Sequence, residues 1–384
     1  MVTSPPVADP PTSGRLVSLD VFRGLTVAAM LLVNDPGSWG HIYPPLRHAA
    51  WHGWTPTDLI FPFFLFIVGV TTHLSLGARR ARGADENQLA AQVLRRGAII
   101  IVLGLLLSAF PFFPLERIAE IRIPGVLQRI GLVYLATGLL ALRTTVRSEI
   151  AIAVIILVGY NLLLVVVPVP GVGHPALAPP DSTLAAWVDR RVLDGHLWAV
   201  TRTWDPEGLL PTIPAIATCI LGLLAGRWIT RSGPREGRIG GLLAAGGAGI
   251  TAGWVWNAAL PINKNLWTSS YVVFTAGLAC VCLALCMWLV DGRGPRWWTR
   301  PLVVFGINPI VAFVGAEALA RLLYSVIRVS YDGEPVPLQV AIYRSLFASW
   351  PSPEAGSLGF ALLIVLFWYG VLEVLYRRGL VIRI

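Results

Sequence analysis

The sequence predicts an all-α polytopic membrane protein, a bundle of about ten transmembrane helices, and three observations lead to this fold class. The 384 residues are 55% hydrophobic and only 13% charged, whereas soluble domains carry about 25% charged residues. Apolar runs long enough to cross a bilayer recur from residue 16 to residue 376. These runs are continuous rather than alternating, which excludes a porin-like barrel. A soluble fold is excluded because the polar residues are too few to cover its surface.

Windows of about 20 apolar residues define the individual spans. The ten predicted spans lie near 16–34, 57–77, 94–112, 125–142, 149–167, 209–229, 239–260, 270–290, 301–324 and 357–376. Residues 1–14 are rich in Pro, Ser and Thr and lack the basic and apolar regions of a signal peptide, so we expect a disordered tail there. We expect residues 15–384 to form a single transmembrane domain.

The distribution of basic residues predicts the orientation of the bundle. If the N-terminus is cytoplasmic, the inner connections hold 18 of the Lys and Arg residues and the outer connections hold 9. The positive-inside rule therefore predicts that both termini are cytoplasmic. The same rule explains the net charge of +9 without a nucleic-acid partner. The predicted outer loops 35–56, 168–208 and 325–356 are long and rich in Trp, Pro and His.

The polar chemistry is densest in the first of these loops, which holds three histidines and leads to Asp58 at the start of the second span. An aspartate in this position either caps the helix or orients a nearby imidazole as a base, and the sequence leaves both interpretations open. His41, His48 and His52 do not predict a metal site, because Pro44 and Pro45 interrupt any helix that would align them. The four cysteines all lie in apolar runs, which predicts core positions rather than disulfides or zinc ligands.

Three further groups of polar residues lie in or beside apolar runs. Gln128 and Arg129 fall inside the fourth span, where an ionisable group usually faces a cavity or a partner. Asn263, Lys264 and Asn265 form a donor-rich patch at a predicted outer helix boundary. Asp20 and Arg23 are spaced to form an ion pair within the first span. Phosphate loops and the GxSxG and HExxH motifs are absent from the sequence, so the soluble hydrolase and nucleotidase templates fail.

Several segments together resemble the heparan-alpha-glucosaminide N-acetyltransferase family and its bacterial members. They are SLDVFRGLTVAAMLLVN, RHAAWHGWTPTDLIFPFFLFIVG, RIPGVLQRIGLVYL, WDPEGLLPTIPAIATCILGLLAGRW and PINKNLWTSSYVVFTAG, in the family's order from about residue 15 to the C-terminus. The resemblance implies a transmembrane acyltransferase that moves an acetyl group from cytoplasmic acetyl-CoA to an amino sugar or related glycan on the far side. It also implies a multi-pass protein of the inner (plasma) membrane, for which a homodimer is an expectation by analogy.

The resemblance also transfers residue roles. The family's catalytic histidine, in its HAxWxG motif, matches His48, the aspartate of its TxxDLxFP segment matches Asp58, and the asparagine closing its first helix matches Asn34. The other motifs imply substrate or CoA contacts for Arg122, Gln128, Arg129, Asn263, Lys264 and Asn265. One departure matters, since the family's histidine-glutamate pair in the ninth span reads Ala316-Glu317 here.

These residues give a mechanistic expectation in which His48, oriented by Asp58, acts as general base or carries the acetyl group. Asn34, with Asn263 or Lys264, would donate hydrogen bonds to the oxyanion of the thioester. Acetyl-CoA is the expected co-substrate, without a metal. The main alternative is a transporter or flippase for a sugar or lipid-linked sugar, with Asp20, Arg23 and Arg129 along its path. A structural subunit without a site is disfavoured by the buried polar groups.

Overall fold

A computed structural model describes residues 16–291 and 297–382, with only the backbone of residues 115–117. The predicted tail 1–14 lies outside the described residues. The helices are α1 Val17–Asn34, α2 Ile60–Arg80, α3 Glu86–Ala109, α4 Val126–Arg143, α5 Val146–Val166, α6 Leu184–Leu193, α7 Leu209–Ile229, α8 Arg235–Trp256, α9 Ser269–Val290, α10 Arg300–Ile307, α11 Pro309–Arg321, α12 Leu338–Leu346 and α13 Pro353–Arg377. Strands β1 Arg328–Tyr331 and β2 Glu334–Pro337 form an antiparallel hairpin.

Within this part of the chain, ten helices are long and apolar enough to cross a membrane, which confirms the predicted all-α bundle of about ten spans. The third helix begins at Glu86, earlier than predicted, because the side chain of Asp85 accepts a hydrogen bond from the Gln88 amide and caps a polar first turn. The sequence could not separate this polar turn from the loop before it.

The predicted ninth span, 301–324, is wrong at its start. Asn308 has a non-helical backbone (φ −119°, ψ 54°) and Pro309 lacks an amide hydrogen, so α10 ends there and a new helix begins. The candidate span is Pro309–Val326, whose last turn, Leu322–Val326, is a π-helix. The Asn308 side chain bonds the backbone of Leu380 and Ile382, which fixes the break.

Five connections meet at one end of the bundle, which we call the loop-rich end: residues 35–59, 110–125, 167–208, 257–268 and 327–352. Hydrogen bonds join them to one another, as from the Gly53 amide to the Ile262 carbonyl (2.7 Å) and from the Trp51 indole to the Leu177 carbonyl (2.8 Å). Residues from distant parts of the sequence are therefore held together at this end.

Glycines allow α2 and α7 to pack in direct backbone contact. A Cβ at Gly69 would lie 2.0 Å from the Cys219 carbonyl oxygen, and a Cβ at Gly222 would lie 2.0 Å from that of Phe66. Close approach of this kind is typical of small residues between membrane helices. It matters for the site because α2 begins beside Asp58 and α7 follows the 167–208 loop.

At the opposite end, arginines bind protein groups of the bundle itself. Arg227 makes a bidentate pair with the buried carboxylate of Glu149 (2.6 and 2.8 Å), which joins α7 to α5. Asp20 and Arg23 lie 3.3 Å apart, which confirms the predicted ion pair, and Arg23 also donates to the Gly306 carbonyl. These contacts join neighbouring helices to one another at the end of the bundle opposite the loop-rich end.

We predict that Gly222→Ala lowers the thermal midpoint of unfolding, because its methyl group would push against the Phe66 backbone and separate α7 from α2. The expected cost is about 1–3 kcal/mol. Gly247→Ala is the matched control, since a Cβ there meets nothing within 4 Å. Thermal unfolding in detergent measures both, and equal midpoints for the two variants would contradict this account of helix packing.

Candidate active site

The segment between α1 and α2 is shaped by two short 3₁₀ turns, Pro44–Leu46 and Pro56–Leu59. Thr55 and Asp58 form a reciprocal capping box at the second turn, with Pro56 in its first position. The interpretation of Asp58 as a helix-capping residue is therefore confirmed. The cap also fixes where the carboxylate points.

The two oxygens of Asp58 have different partners. Oδ2 accepts from the Ala49 amide (2.9 Å), the Thr55 amide (3.0 Å) and the Thr55 hydroxyl (3.1 Å), while Oδ1 lies 2.7 Å from His48 Nδ1. The Asp58 side chain is 1% exposed, and its own carbonyl accepts from the Tyr271 hydroxyl (2.5 Å). One oxygen thus holds the loop, and the other is directed at the imidazole.

The imidazole of His48 is oriented by this contact. A carboxylate can only accept, so the 2.7 Å contact places the ring hydrogen on Nδ1 and leaves the lone pair on Nε2. The His48 side chain is 48% exposed although its partner is sealed. An exposed nitrogen base fixed by a buried acid can exchange protons, or an acyl group, with a bound substrate.

Lys264 lies beside this pair, with Nζ 3.1 Å from His48 Nδ1, 3.4 Å from Nε2 and 3.8 Å from Asp58 Oδ1. Because Nζ is nearly equidistant from the two ring nitrogens, it does not lie along the direction of the Nε2 lone pair. Burial lowers the pKa of Lys264, while the Asp58 carboxylate opposes that effect. A cation therefore lies within reach of any atom that reacts at His48.

The asparagine side chains of the site have contacts different from those of Lys264. Asn263 is fully buried, its Oδ1 accepts from the Leu266 amide (2.8 Å), and its Nδ2 lies 3.3 Å from His52 Nδ1. Asn263 thus shapes the 257–268 loop. Asn265 and Asn34 are half-buried, and their side chains make no hydrogen bond within the described residues. Asn34 is the last residue of α1, at the loop-rich end but without a bond to His48.

A second group of charges, largely missed by sequence reasoning, surrounds Arg122. Its guanidinium binds both oxygens of Asp205 (2.8 and 2.5 Å) and Oε2 of Glu207 (2.5 Å). These two carboxylates raise the pKa of Arg122 against the opposing effect of burial, and Arg122 lowers the pKa of Glu207. Asp205 and Glu207 come from the WDPEG segment, whose two acids in front of an apolar run were the available signal.

Asp189 on α6 supports the same segment, since its carboxylate accepts from the amides of Asp205 (3.3 Å) and Leu209 (2.9 Å). Burial raises the pKa of Asp189 to about 6. The Leu209 amide is the first of α7, so this carboxylate satisfies an otherwise unpaired donor of that helix. The loop before α7 is thereby fixed against α6.

Arg129 extends this group into the bundle. It is 1% exposed, donates to the Gly208 carbonyl (3.2 Å) and the Thr212 hydroxyl (3.3 Å), and lies over the Trp267 ring at 5.1 Å. Its Nη1 is buried with no hydrogen-bond partner in the described structure. Gln128 instead bonds Ser108 (3.3 Å) and packs against Gly104 and Gly125. Arg129 thus keeps a free donor, whereas Gln128 packs between helices.

The three histidines of the 35–59 segment have separate partners: His41 lies 3.2 Å from the Ser38 hydroxyl, His48 binds Asp58, and His52 lies against Asn263. Among residues 16–291 and 297–382, no three His, Cys, Asp or Glu side chains are grouped to hold a metal ion. All four cysteines are free thiols.

A helical membrane bundle with an oriented histidine, an adjacent lysine and buried acids at one end belongs to the class of integral-membrane proteins with an acid–base site. Residues 15–242 match the family model described as heparan-alpha-glucosaminide N-acetyltransferase, catalytic. The chain therefore belongs to this family. The match contains His48, Asp58, Asn34, Arg122, Gln128 and Arg129 as well as the WDPEG acids.

Two relatives extend this result. The chain is 30% identical over 357 residues to heparan-alpha-glucosaminide N-acetyltransferase of Homo sapiens and 29% identical over 362 residues to that of Mus musculus. These alignments cover 79% and 80% of this chain, and 53% and 54% of the relatives. The chain thus spans about half the length of the curated relatives it matches.

We predict that Arg122→Gln destabilises the protein by about 3–5 kcal/mol at neutral pH, because it leaves Asp205 and Glu207 buried without their cation. The lowered pKa of Glu207 gives stability that is present above its ordinary value of 4.5 and lost as the pH falls through the folded value. The difference from wild type should therefore be full above pH 4.5 and shrink as the pH falls below it. Thermal unfolding between about pH 3 and pH 8 measures this.

The matched control is Arg191→Gln, because Arg191 is exposed on α6 and makes no hydrogen bond or ion pair within the described residues. It should unfold like wild type at each pH. A difference for Arg122→Gln that stays constant with pH would contradict the ion-pair explanation.

Proposed function

We propose that this protein transfers an acetyl group from acetyl-CoA to the amine of an amino sugar, with His48 as the group that reacts. The observation that carries the proposal is the 2.7 Å contact between His48 Nδ1 and the sealed carboxylate of Asp58, which leaves an exposed Nε2 lone pair. Membership in the family supports the reaction type. The names of the human and mouse relatives indicate the transferred group, acetyl, and the class of acceptor, an amino sugar.

The reaction needs a base, because an amine that attacks a thioester must lose a proton. His48 Nε2 takes this proton and returns it to the departing thiolate of CoA, or Nε2 itself carries the acetyl group between donor and acceptor. In both routes Asp58 stabilises the imidazolium that forms. A covalent acetyl-histidine would give ping-pong kinetics, and direct transfer would give a ternary complex.

Negative charge develops on the thioester oxygen as the carbonyl is attacked. Lys264 is the donor beside His48 that can serve this oxygen, since the Nδ2 of Asn263 lies against His52 and its Oδ1 accepts from the Leu266 amide. Asn34, at the end of α1, makes no side-chain hydrogen bond within the described residues and is the second proposed donor. The free Nη1 of Arg129 supports a role in holding an anionic or carbonyl group of a substrate deeper in the bundle.

We further propose that the loop-rich end is extracytoplasmic, that acetyl-CoA arrives from the cytoplasm, and that the protein resides in the inner (plasma) membrane. The distribution of 18 against 9 basic residues supports this orientation. It would carry an acetyl group across the bilayer without moving CoA across. A transporter path through Asp20, Arg23 and Arg129 is less favoured, because the Asp20–Arg23 pair lies at the opposite end from Arg129 and is satisfied locally.

We predict that purified protein transfers label from acetyl-CoA to glucosamine, that His48→Ala abolishes the transfer, and that Asp58→Asn lowers kcat about 10²–10⁴-fold by releasing the imidazole from its tautomer. His41→Ala is the control, because this exposed histidine of the same segment touches neither Asp58 nor Lys264. Radiometric product formation measures all four proteins. Transfer that survives His48→Ala would remove this residue from the mechanism.

A further inference from the structure

One buried acid of the loop-rich end differs from the others in having no donor. The carboxylates of Asp58, Asp189, Asp205 and Glu207 all accept hydrogen bonds from arginine, histidine or backbone groups. Asp35 is as deeply buried as these, at 5% exposed, yet its carboxyl accepts no hydrogen bond within residues 16–291 and 297–382. A buried carboxylate without a donor is costly, so its persistence points to a ligand.

Asp35 lies directly after the last residue of α1, where the chain leaves the helix (φ −122°, ψ 53°). The π-helical turn Leu322–Val326 that continues α11 approaches this point, because the Tyr324 hydroxyl donates to the carbonyl of Pro36 (2.7 Å). Glu317 lies on α11 just before this turn, and its carboxylate is close enough to repel that of Asp35. The end of α1 and the end of α11 thus bring Asp35 and Glu317 toward the same space.

Glu317 also has no hydrogen-bonded partner among the described residues. Arg321, one turn further along α11, does not neutralise it by direct contact, since its Nη1 donates to the carbonyls of Ser108 (3.1 Å) and Phe110 (3.0 Å). The charged groups that face Glu317 from other elements are Arg122 and Glu207. Asp35 is faced by Glu317 and Tyr324. Two acids therefore share this space, and neither has a cation bound to it.

We propose that Asp35 and Glu317 form the subsite for the charged amine of the acceptor, and that the Asp35 carboxylate removes the first proton from that ammonium group. A cationic amine fits because it supplies N–H donors and positive charge to two acids that lack both. This inference rests on the proposed function. It adds an acceptor class, amines that are protonated in water, and a second proton acceptor besides His48.

The protons of the reaction balance with both groups. The acceptor enters as R–NH₃⁺ and gives one proton to the Asp35 carboxylate, which leaves a neutral amine with a free electron pair. That pair forms the bond to the acetyl carbon while the bond from carbon to the sulfur of CoA breaks. The second amine proton passes through His48 to the departing thiolate, and Asp35 releases its proton to water.

The acidity of Asp35 suits this step. Burial first, and then repulsion from Glu317, raise the pKa of Asp35 to about 7. A group with such a pKa accepts a proton from a bound ammonium and releases it near neutral pH far more readily than an ordinary aspartate.

The experiment compares wild type, Asp35→Asn, Asp35→Glu and Glu317→Gln with glucosamine and with the neutral sugar glucose, between pH 5 and pH 9. Asp35→Asn should raise the KM for glucosamine about 10- to 100-fold and move the pH profile of kcat/KM upward, since the amine must then lose its proton in water. Asp35→Glu should recover part of the activity, and Glu317→Gln should raise KM with less effect on the profile. Glu334→Gln, an exposed acid of the same end, is the control.

Acetyl transfer by the wild-type protein separates this inference from the proposed function. If wild type transfers acetyl groups but Asp35→Asn keeps the wild-type KM and pH profile, the subsite is wrong while the proposed function stands. If wild type transfers no acetyl group to any acceptor, the proposed function itself fails.

Stability gives a readout that does not need activity. The folded pKa of about 7 lies above the ordinary value of 3.8, so the Asp35 carboxyl lowers stability progressively as the pH rises through that window. Asp35→Asn should therefore unfold at a higher temperature than wild type at pH 8 and show little difference at pH 4. An Asp35→Asn protein that is less stable than wild type at pH 8 would show that the carboxylate has a cation partner, and would overturn the subsite.

Discussion

The loop-rich end depends on the burial of one carboxylate, that of Asp58. Its Oδ2 holds the turn that begins α2, and its Oδ1 orients His48, so the fold of the loop and the chemistry of the imidazole depend on the same group. The direct packing of α2 against α7 through Gly69 and Gly222 fixes where that carboxylate lies. An oriented base results because the helices, rather than the loop alone, determine its position.

Buried charge elsewhere at this end is organised in the same way. Arg122 joins the 110–125 connection to the acids of the WDPEG segment, and Arg129 carries the positive charge inward over Trp267. Such pairs cost desolvation energy and are retained in membrane proteins mainly where they serve a function. They lie at the same end of the bundle as His48 and Asp58. Asp35, which is buried, and Glu317, which is half-buried, are the exceptions, because their carboxylates accept no hydrogen bond within the described residues.

The sequence was sufficient for the bundle, because continuous apolar runs report transmembrane helices directly. It could not place the start of the ninth span, since Asn308 and Pro309 interrupt a run whose hydropathy continues unbroken. The pairing of His48 with Asp58 was expected from the residues and the family motif, and the structure brings the two together; their catalytic roles remain predictions. Sequence alone could not show that Asn263 is occupied within its loop, or that Asp205 and Glu207 bind Arg122, because both depend on contacts between distant segments.

We expect Asp58 to hold His48 in the tautomer with hydrogen on Nδ1 and the lone pair on Nε2. Nitrogen-15 NMR of protein labelled at its six histidines, with the His48 signals assigned by their loss in His48→Gln, reports this tautomer. In the neutral ring, hydrogen should be on Nδ1 and not on Nε2, and this preference should be lost in Asp58→Asn. A ring with hydrogen on Nε2, or a tautomer that ignores the substitution, would contradict it.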